Sequence, residues 1–281
     1  MAAPAETPLR PTGLSESPNP RVALPEVDAS NDSEYCLVAH EGTWQQVRLR
    51  EDSLLWEWPG VYEYLVGDLL GGDAARTICA LLKDQIEGAG AQVERLRVLN
   101  MGAGNGWVGG ELADIGAGWI FGVDRYPVAA AAAERDNPGV YDEYMVMDLR
   151  RLSEAQRDRL MYFDFSCLAC VEPLGTDEPA PSAFTEAFNV LAPDGWLAFH
   201  VPEEALQGER DSRFAKLIRQ MVESGAISLL AQERYRHRYT TQGDPLVHVA
   251  FIGRKQRDFD PSEKPRPPRN PGREPGLPSA L

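Results

Sequence analysis

The stretch Val98-Leu99-Asn100-Met101-Gly102-Ala103-Gly104-Asn105-Gly106 holds the residues whose spacing points most directly to chemistry. A short apolar run ends in a turn with glycines at 102, 104 and 106, and Trp107-Val108-Gly109-Gly110-Glu111-Leu112 opens a helix behind it. Strand, glycine turn and helix start bring backbone N–H groups close to a nucleotide-like ligand, because the turn carries little side-chain bulk and a helix N-terminus favours an anionic group. The spacing is G-x-G-x-G. A dinucleotide turn of the form G-x-G-x-x-G is not met, since Trp107 stands where its last glycine belongs. Asp124 ends the next apolar run, roughly 20 residues on, where a carboxylate can accept hydrogen bonds from both hydroxyls of a ribose. Arg125 follows it and would flank the ribose or the base.

These residues need a sheet that ends in one place. From residue 96 the chain alternates strand and helix patterns: strands at 96–100, 119–124, 144–148, 163–169 and 196–200, with helices at about 107–115, 127–133 and 183–191. Such alternation predicts a parallel sheet with helices on both faces. The end breaks the rhythm. After a helix at about 213–223, residues 227–230 and 233–239 are extended, Gly243-Asp244-Pro245 turns the chain, and residues 246–252 return. Before the alternation, residues 35–40 and 44–49 read as a hairpin around Gly42. Val61, Leu65 and Leu69 recur at helical spacing, and a second helix spans about 74–87.

The G-x-G-x-G turn, Asp124, Asp148 and the closing hairpin together resemble class I S-adenosylmethionine-dependent methyltransferases. The resemblance implies an α/β fold: a Rossmann-like, doubly wound, seven-stranded sheet, mostly parallel, with a C-terminal antiparallel hairpin and flanking helices. It implies S-adenosylmethionine as cofactor, S-adenosylhomocysteine as product, and an enzyme that methylates a small molecule. Asn100, Gly102, Ala103, Gly104, Asn105 and Gly106 would meet the methionine portion, Asp124 and Arg125 the ribose, and Asp148 the adenine amino group. Met147 and Leu149 would pack on the ring, and Leu168, Ala169 and Cys170 would form the wall beside the methionine. Asn100 is a departure, because the family usually carries Asp there. Asn keeps one acceptor oxygen but loses the charge, which leaves open a methyltransferase-like binding protein that has lost catalysis. A nicotinamide-dependent oxidoreductase is a third reading, opposed by Trp107 and by the lack of residues for a substrate domain. The segment 35–254 also resembles a set of uncharacterised bacterial methyltransferase-like proteins with a Tyr-Glu-Tyr-Leu helix and a Tyr-Arg-His-Arg strand.

Domain boundaries follow: a disordered tail at 1–33, a hairpin and helical lid at 34–95, the cofactor domain at 96–255, and a disordered Pro- and Arg-rich tail at 256–281. The tails lack apolar surface to offset roughly 1–2 kcal/mol of backbone ordering per residue. A net charge of −15 disfavours a non-specific grip on nucleic acid phosphates. No apolar run approaches the ~20 residues of a membrane span, and no segment has the basic start and apolar centre of a signal peptide. Cysteines at 36, 79, 167 and 170 show no framework spacing, so a reduced, cytoplasmic protein is expected. A homo-oligomer is not indicated.

No catalytic residue stands out. Methyl transfer needs alignment above all, and a base only if the acceptor is protonated. The D/N-P-P-Y/F motif that amide and base methyltransferases carry after strand four is replaced by Cys170-Val171-Glu172-Pro173. Glu172 there, His200 at the end of strand five, and Tyr62 and Tyr64 on the lid helix are the candidates for orienting or deprotonating a substrate. Cys167 and Cys170 would point to opposite faces of a strand, and no metal site is read. Arg234, Arg236 and Arg238 share one face of an alternating strand beside His237.

Overall fold

The computed structural model describes residues 21–25, 34–40, 42–49, 52–171, 180–208 and 212–262. β1 (Arg21–Ala23), β2 (Tyr35–His40) and β3 (Thr43–Arg48) form a small antiparallel sheet, with Gly42 at φ 79° in the β2–β3 turn. β1 lies within the segment expected to be tail. Its Val22 stands opposite Val38 of β2, so this short piece gains an apolar partner. α1 (Asp52–Leu55) and α2 (Val61–Glu63) follow, and α2 runs on as a π-helical stretch over Tyr64–Leu69 before α3 (Ala74–Gly88).

The main unit then reads β4 (Arg97–Met101), α4 (Trp107–Asp114), β5 (Trp119–Asp124), α5 (Pro127–Asp136), β6 (Glu143–Val146), α6 (Glu154–Tyr162), β7 (Cys167–Cys170), α7 (Pro181–Asn189), β8 (Trp196–Pro202), α8 (Glu203–Gln207), α9 (Arg213–Glu223), β9 (Ile227–Tyr239) and β10 (Pro245–Lys255). Its seven strands stand in the order β6-β5-β4-β7-β8-β10-β9. β4 to β8 pair in parallel, and β10 runs antiparallel between β8 and β9. The chain leaves β4 toward β5 and β6, then returns to place β7 on β4's other side. That reversal opens a crevice at the carboxyl ends of β4 and β7, where ligands of doubly wound sheets bind.

Three details depart from the sequence reading. α6 has no apolar periodicity, and its signal is a capping box instead: Gln156 N–H donates to the Ser153 hydroxyl while Ser153 N–H donates to Gln156. β7 starts later than residue 163 because Asp164 takes a left-handed φ of 50°, which no strand continues through. Residues 256–262, expected as tail, dock on the body. Gln256 N–H donates to the Ala226 carbonyl, and Asn189 bonds both the N–H and the carbonyl of Phe259.

The sheet buries both faces, so side chains alternate between two cores. α3 and α4 cover one, with Ile78, Leu82, Leu112, Val98, Ala169, Trp196 and Ile252. α7 and α9 cover the other, with Phe184, Phe188, Ile218, Leu168, Phe199 and Phe251. Cys167 falls in the first core and Cys170 in the second, as strand alternation requires. A third cluster joins the small sheet and lid to α5 through Val38, Leu55, Trp56, Tyr62 and Leu65 packed with Ala129 and Ala132. Glu34 ties the small sheet to β9. Arg238, its side chain 1% exposed, donates from both terminal nitrogens to the two oxygens of Glu34 at 2.9 and 2.7 Å. No helix among the described residues is long and apolar enough to cross a membrane.

Candidate functional site

The glycine turn sits where β4 ends and is stitched to β5. Gly102 and Ala103 N–H groups donate to the Val123 carbonyl at 2.9 and 3.1 Å, and Gly104 N–H donates to Asp124 Oδ2 at 3.1 Å. Asp124 Oδ1 accepts from Tyr126 N–H at 2.9 Å. Two of the carboxylate's acceptor sites are thus taken by these N–H groups, and the Arg125 N–H engages it as well. The turn needs glycine at 104 for two reasons. Its φ is 51°, and a Cβ there would lie 3.1 Å from Trp56 Cζ2. Trp56 comes from the segment between α1 and α2, so this segment packs directly on the turn.

Side chains not singled out in the sequence complete this arrangement. Tyr144 on β6 donates to the Gly104 carbonyl at 2.8 Å, and Tyr141 donates to the Ala103 carbonyl at 3.2 Å while accepting from Asn100 Nδ2 at 2.9 Å. Burial pushes both phenols up, so they stay protonated donors. Glu63, between the two lid tyrosines, accepts from Asn105 Nδ2 at 2.5 Å and from Asn137 Nδ2 at 3.3 Å. Burial raises the Glu63 carboxyl above its usual range, and it does the same to Asp124 against the opposing pull of the N–H groups of Tyr126 and Gly104.

Three buried polar atoms around this turn have no hydrogen-bond partner among the described residues: Asn100 Oδ1, Glu63 Oε2 and Trp56 Nε1. A buried unmet donor or acceptor costs about 1–3 kcal/mol, so three gathered beside one turn are groups that water or a ligand can satisfy. Two are acceptors and one is a donor. The set suits a molecule with an ammonium group and a hydrogen-bond acceptor, beside a carboxylate for a diol.

The other residues expected at the site are distributed as follows. Gly106, at φ 95°, sits just ahead of α4. Arg125 lies at the surface over the Tyr126 ring, 4.5 Å from its centroid. Asp148 comes two residues after β6 ends and caps the turn at Leu149–Arg151. Its carboxylate is taken by the Arg150 guanidinium at 2.7 Å, which holds it down at about 2. Met147 is half-buried and Leu149 buried against the second core. In β7, Cys170 is level with Met101 and Ala169 with Asn100, at the edge. Leu168 is level with Leu99 and Leu197, inside the sheet and below that edge. Tyr62 is buried between Trp56 and Trp107, ring centroids 6.1 and 6.2 Å away. Tyr64 instead lines a cavity of about 730 Å³ under the π-helical stretch, with Glu63, Asp68, Trp107, Glu111 and Arg236. Glu172 lies outside the described residues.

His200 is 7% exposed and joins a cluster with His237 and His248 on the next two strands. The three arginines of β9 do not share a face. A register shift opposite His237 turns Arg238 inward, while Arg234 and Arg236 stay exposed, Arg234 paired with Glu203.

Residues 99–199 match the family described as "Methyltransferase domain". No curated protein matches the chain in sequence. Among solved structures, it is similar to magnesium protoporphyrin IX methyltransferase from Synechocystis with bound S-adenosylmethionine (15% identity, 64% of this chain, 79% of that one, TM-score 0.45). It is also similar to an N-methyltransferase from Bradyrhizobium japonicum in complex with S-adenosylhomocysteine (16%, 64% and 85%, 0.46), and to a putative RNA methyltransferase from Pyrococcus horikoshii (13%, 66% and 85%, 0.46). Residues 99–199 thus match a methyltransferase-domain family, and they lie in a Rossmann-like sheet closed by an antiparallel hairpin.

Proposed function

We propose that this protein transfers a methyl group from S-adenosylmethionine to a small-molecule acceptor. The observation that carries the reading is the set of unmet polar atoms gathered on the glycine turn. Asn100 Oδ1 and Glu63 Oε2 suit the cofactor's ammonium, the Asp124 carboxylate suits its ribose hydroxyls, and N–H groups of the turn suit its carboxylate. Glu63 thereby supplies from the lid the negative charge that Asn100 lacks. The cofactor supplies a sulfonium-activated methyl group. The protein's task is to align an acceptor with it and to exclude water, and Trp56 and Tyr62, packed with Trp107 at the start of α4, provide an apolar cover. The cavity beside Tyr64, about 730 Å³, has the size of a small-molecule pocket.

A second reading, a binding protein without turnover, is favoured by Asn100. Incubating the protein with S-adenosylmethionine and a metabolite extract separates the two. Formation of S-adenosylhomocysteine that depends on the extract supports transfer. Cofactor binding with no product from any extract supports the second reading.

A further inference from the structure

We propose that His200, His237 and His248 form a binding site for a divalent first-row transition metal of the zinc class. The three residues come from β8, β9 and β10, and their exposures are 7%, 2% and 7%. His200 follows Trp196 and Ala198 at spacing two, and His248 precedes Ala250 and Ile252 in the same way, so all lie on the sheet face that α3 covers. One ligand nitrogen from each lies within 4.8 Å of the others. His200 Nδ1 and His248 Nδ1 are 3.3 Å apart. Two imidazole nitrogens on one tetrahedral ion, each about 2.0–2.1 Å from it, stand about 3.3–3.4 Å apart. The observed spacing is the one that such an ion imposes.

Tyr235 Oη lies 2.6 Å from His200 Nδ1, so a cation bound at that nitrogen takes the lone pair that the tyrosine hydroxyl otherwise engages. The rings of His237 and His248 are stacked, 11° from parallel with centroids 4.1 Å apart. Imidazole lone pairs lie in the ring plane, so one of the two rings turns about its Cβ–Cγ bond to aim both nitrogens at one ion. Three nitrogen ligands select Zn²⁺, Co²⁺ or Fe²⁺ over Mg²⁺ and Ca²⁺, which want oxygen. A three-ligand site keeps a position for water or an exogenous oxygen, nitrogen or sulfur atom. His200 stands two strands from β4, roughly 10 Å from the glycine turn at about 4.8 Å per strand, on the same carboxyl-terminal edge.

The test uses the full chain without an affinity tag, stripped with a chelator and then titrated with Co²⁺. One Co²⁺ per chain is expected, with the visible bands of a four- or five-coordinate ion, displaced by Zn²⁺ and unaffected by Mg²⁺. His248→Gln and His237→Ala should weaken binding at least tenfold while their circular dichroism stays native. If either variant fails to fold, X-ray absorption of the zinc-loaded natural chain decides, with a nitrogen-only shell containing three imidazoles expected. Absence of stoichiometric Co²⁺ or Zn²⁺ binding, sulfur in the shell, or unchanged affinity in a folded histidine variant would overturn the proposal. Each readout is metal content or coordination, so the outcome does not depend on methyl transfer.

Discussion

Gly104→Ala probes the contact by which the segment between α1 and α2 packs on the glycine turn. Two costs can be worked from the structure. The residue sits at φ 51°, and a left-handed conformation costs an L-residue about 1–2 kcal/mol. The new Cβ would lie 3.1 Å from Trp56 Cζ2, a few tenths of an ångström too close, and such overpacking costs about 1–3 kcal/mol. The sum of about 2–5 kcal/mol corresponds to a melting temperature lower by roughly 4–20 °C for a domain of this size. The two costs separate in a cycle with Trp56→Phe, which removes the ring edge that meets the Cβ. In that background Gly104→Ala should lose only the backbone part, giving a coupling of about 1 kcal/mol or more. Thermal and urea denaturation of the four proteins measure it. Equal losses in both backgrounds would show that Trp56 does not press on the turn, and a Gly104→Ala protein that melts with the natural chain would refute both costs.

Asp124→Asn should loosen the turn, because Asp124 accepts from Gly104 N–H and Tyr126 N–H on different oxygens and Asn has one; a loss of about 1–2 kcal/mol by denaturation is expected. Cofactor affinity should fall about tenfold or more by calorimetry, as for a lost hydrogen bond to a charged group. Burial raises the Asp124 carboxyl above its ordinary 3.8. Its contribution to folding stability is therefore fully present below 3.8 and lost as pH rises through the folded value. Cofactor binding that needs the carboxylate runs the other way and weakens as pH falls through that same value, which calorimetry over an acidic pH series checks. Glu34→Ala leaves the Arg238 guanidinium buried without its carboxylate and should cost about 3–5 kcal/mol in chemical denaturation.

The strands and the turn were legible in the sequence because the signals there are local. A buried parallel strand reads as a short apolar run, and a turn that must take positive φ reads as glycine, so β5 and the 102–106 loop fall where the spacing puts them. α9 is legible at both ends, since Phe214, Leu217, Ile218 and Met221 follow helical spacing. α6 was not, because its charged surface leaves only Leu160 buried and the cap as a signal. The site was half legible. Asn100, Asp124 and the glycines announce themselves by position, but Glu63 and Trp56 reach the turn only through the packing of the lid on α5, which no local pattern encodes. Asp148 has the expected address, yet a neighbour two residues away, Arg150, takes its charge. The histidine cluster depends on three strands meeting and on the register shift opposite His237, so it exists only in the assembled sheet.

The central claim is that the glycine turn and Asp124 bind S-adenosylmethionine. Isothermal titration of the full chain with S-adenosylmethionine, S-adenosylhomocysteine and NADH tests it most directly. One site per chain is expected for the first two ligands, weakened at least tenfold by Asp124→Asn, with no heat from NADH. Binding of NADH, or of neither adenosyl compound by natively folded protein, would contradict it.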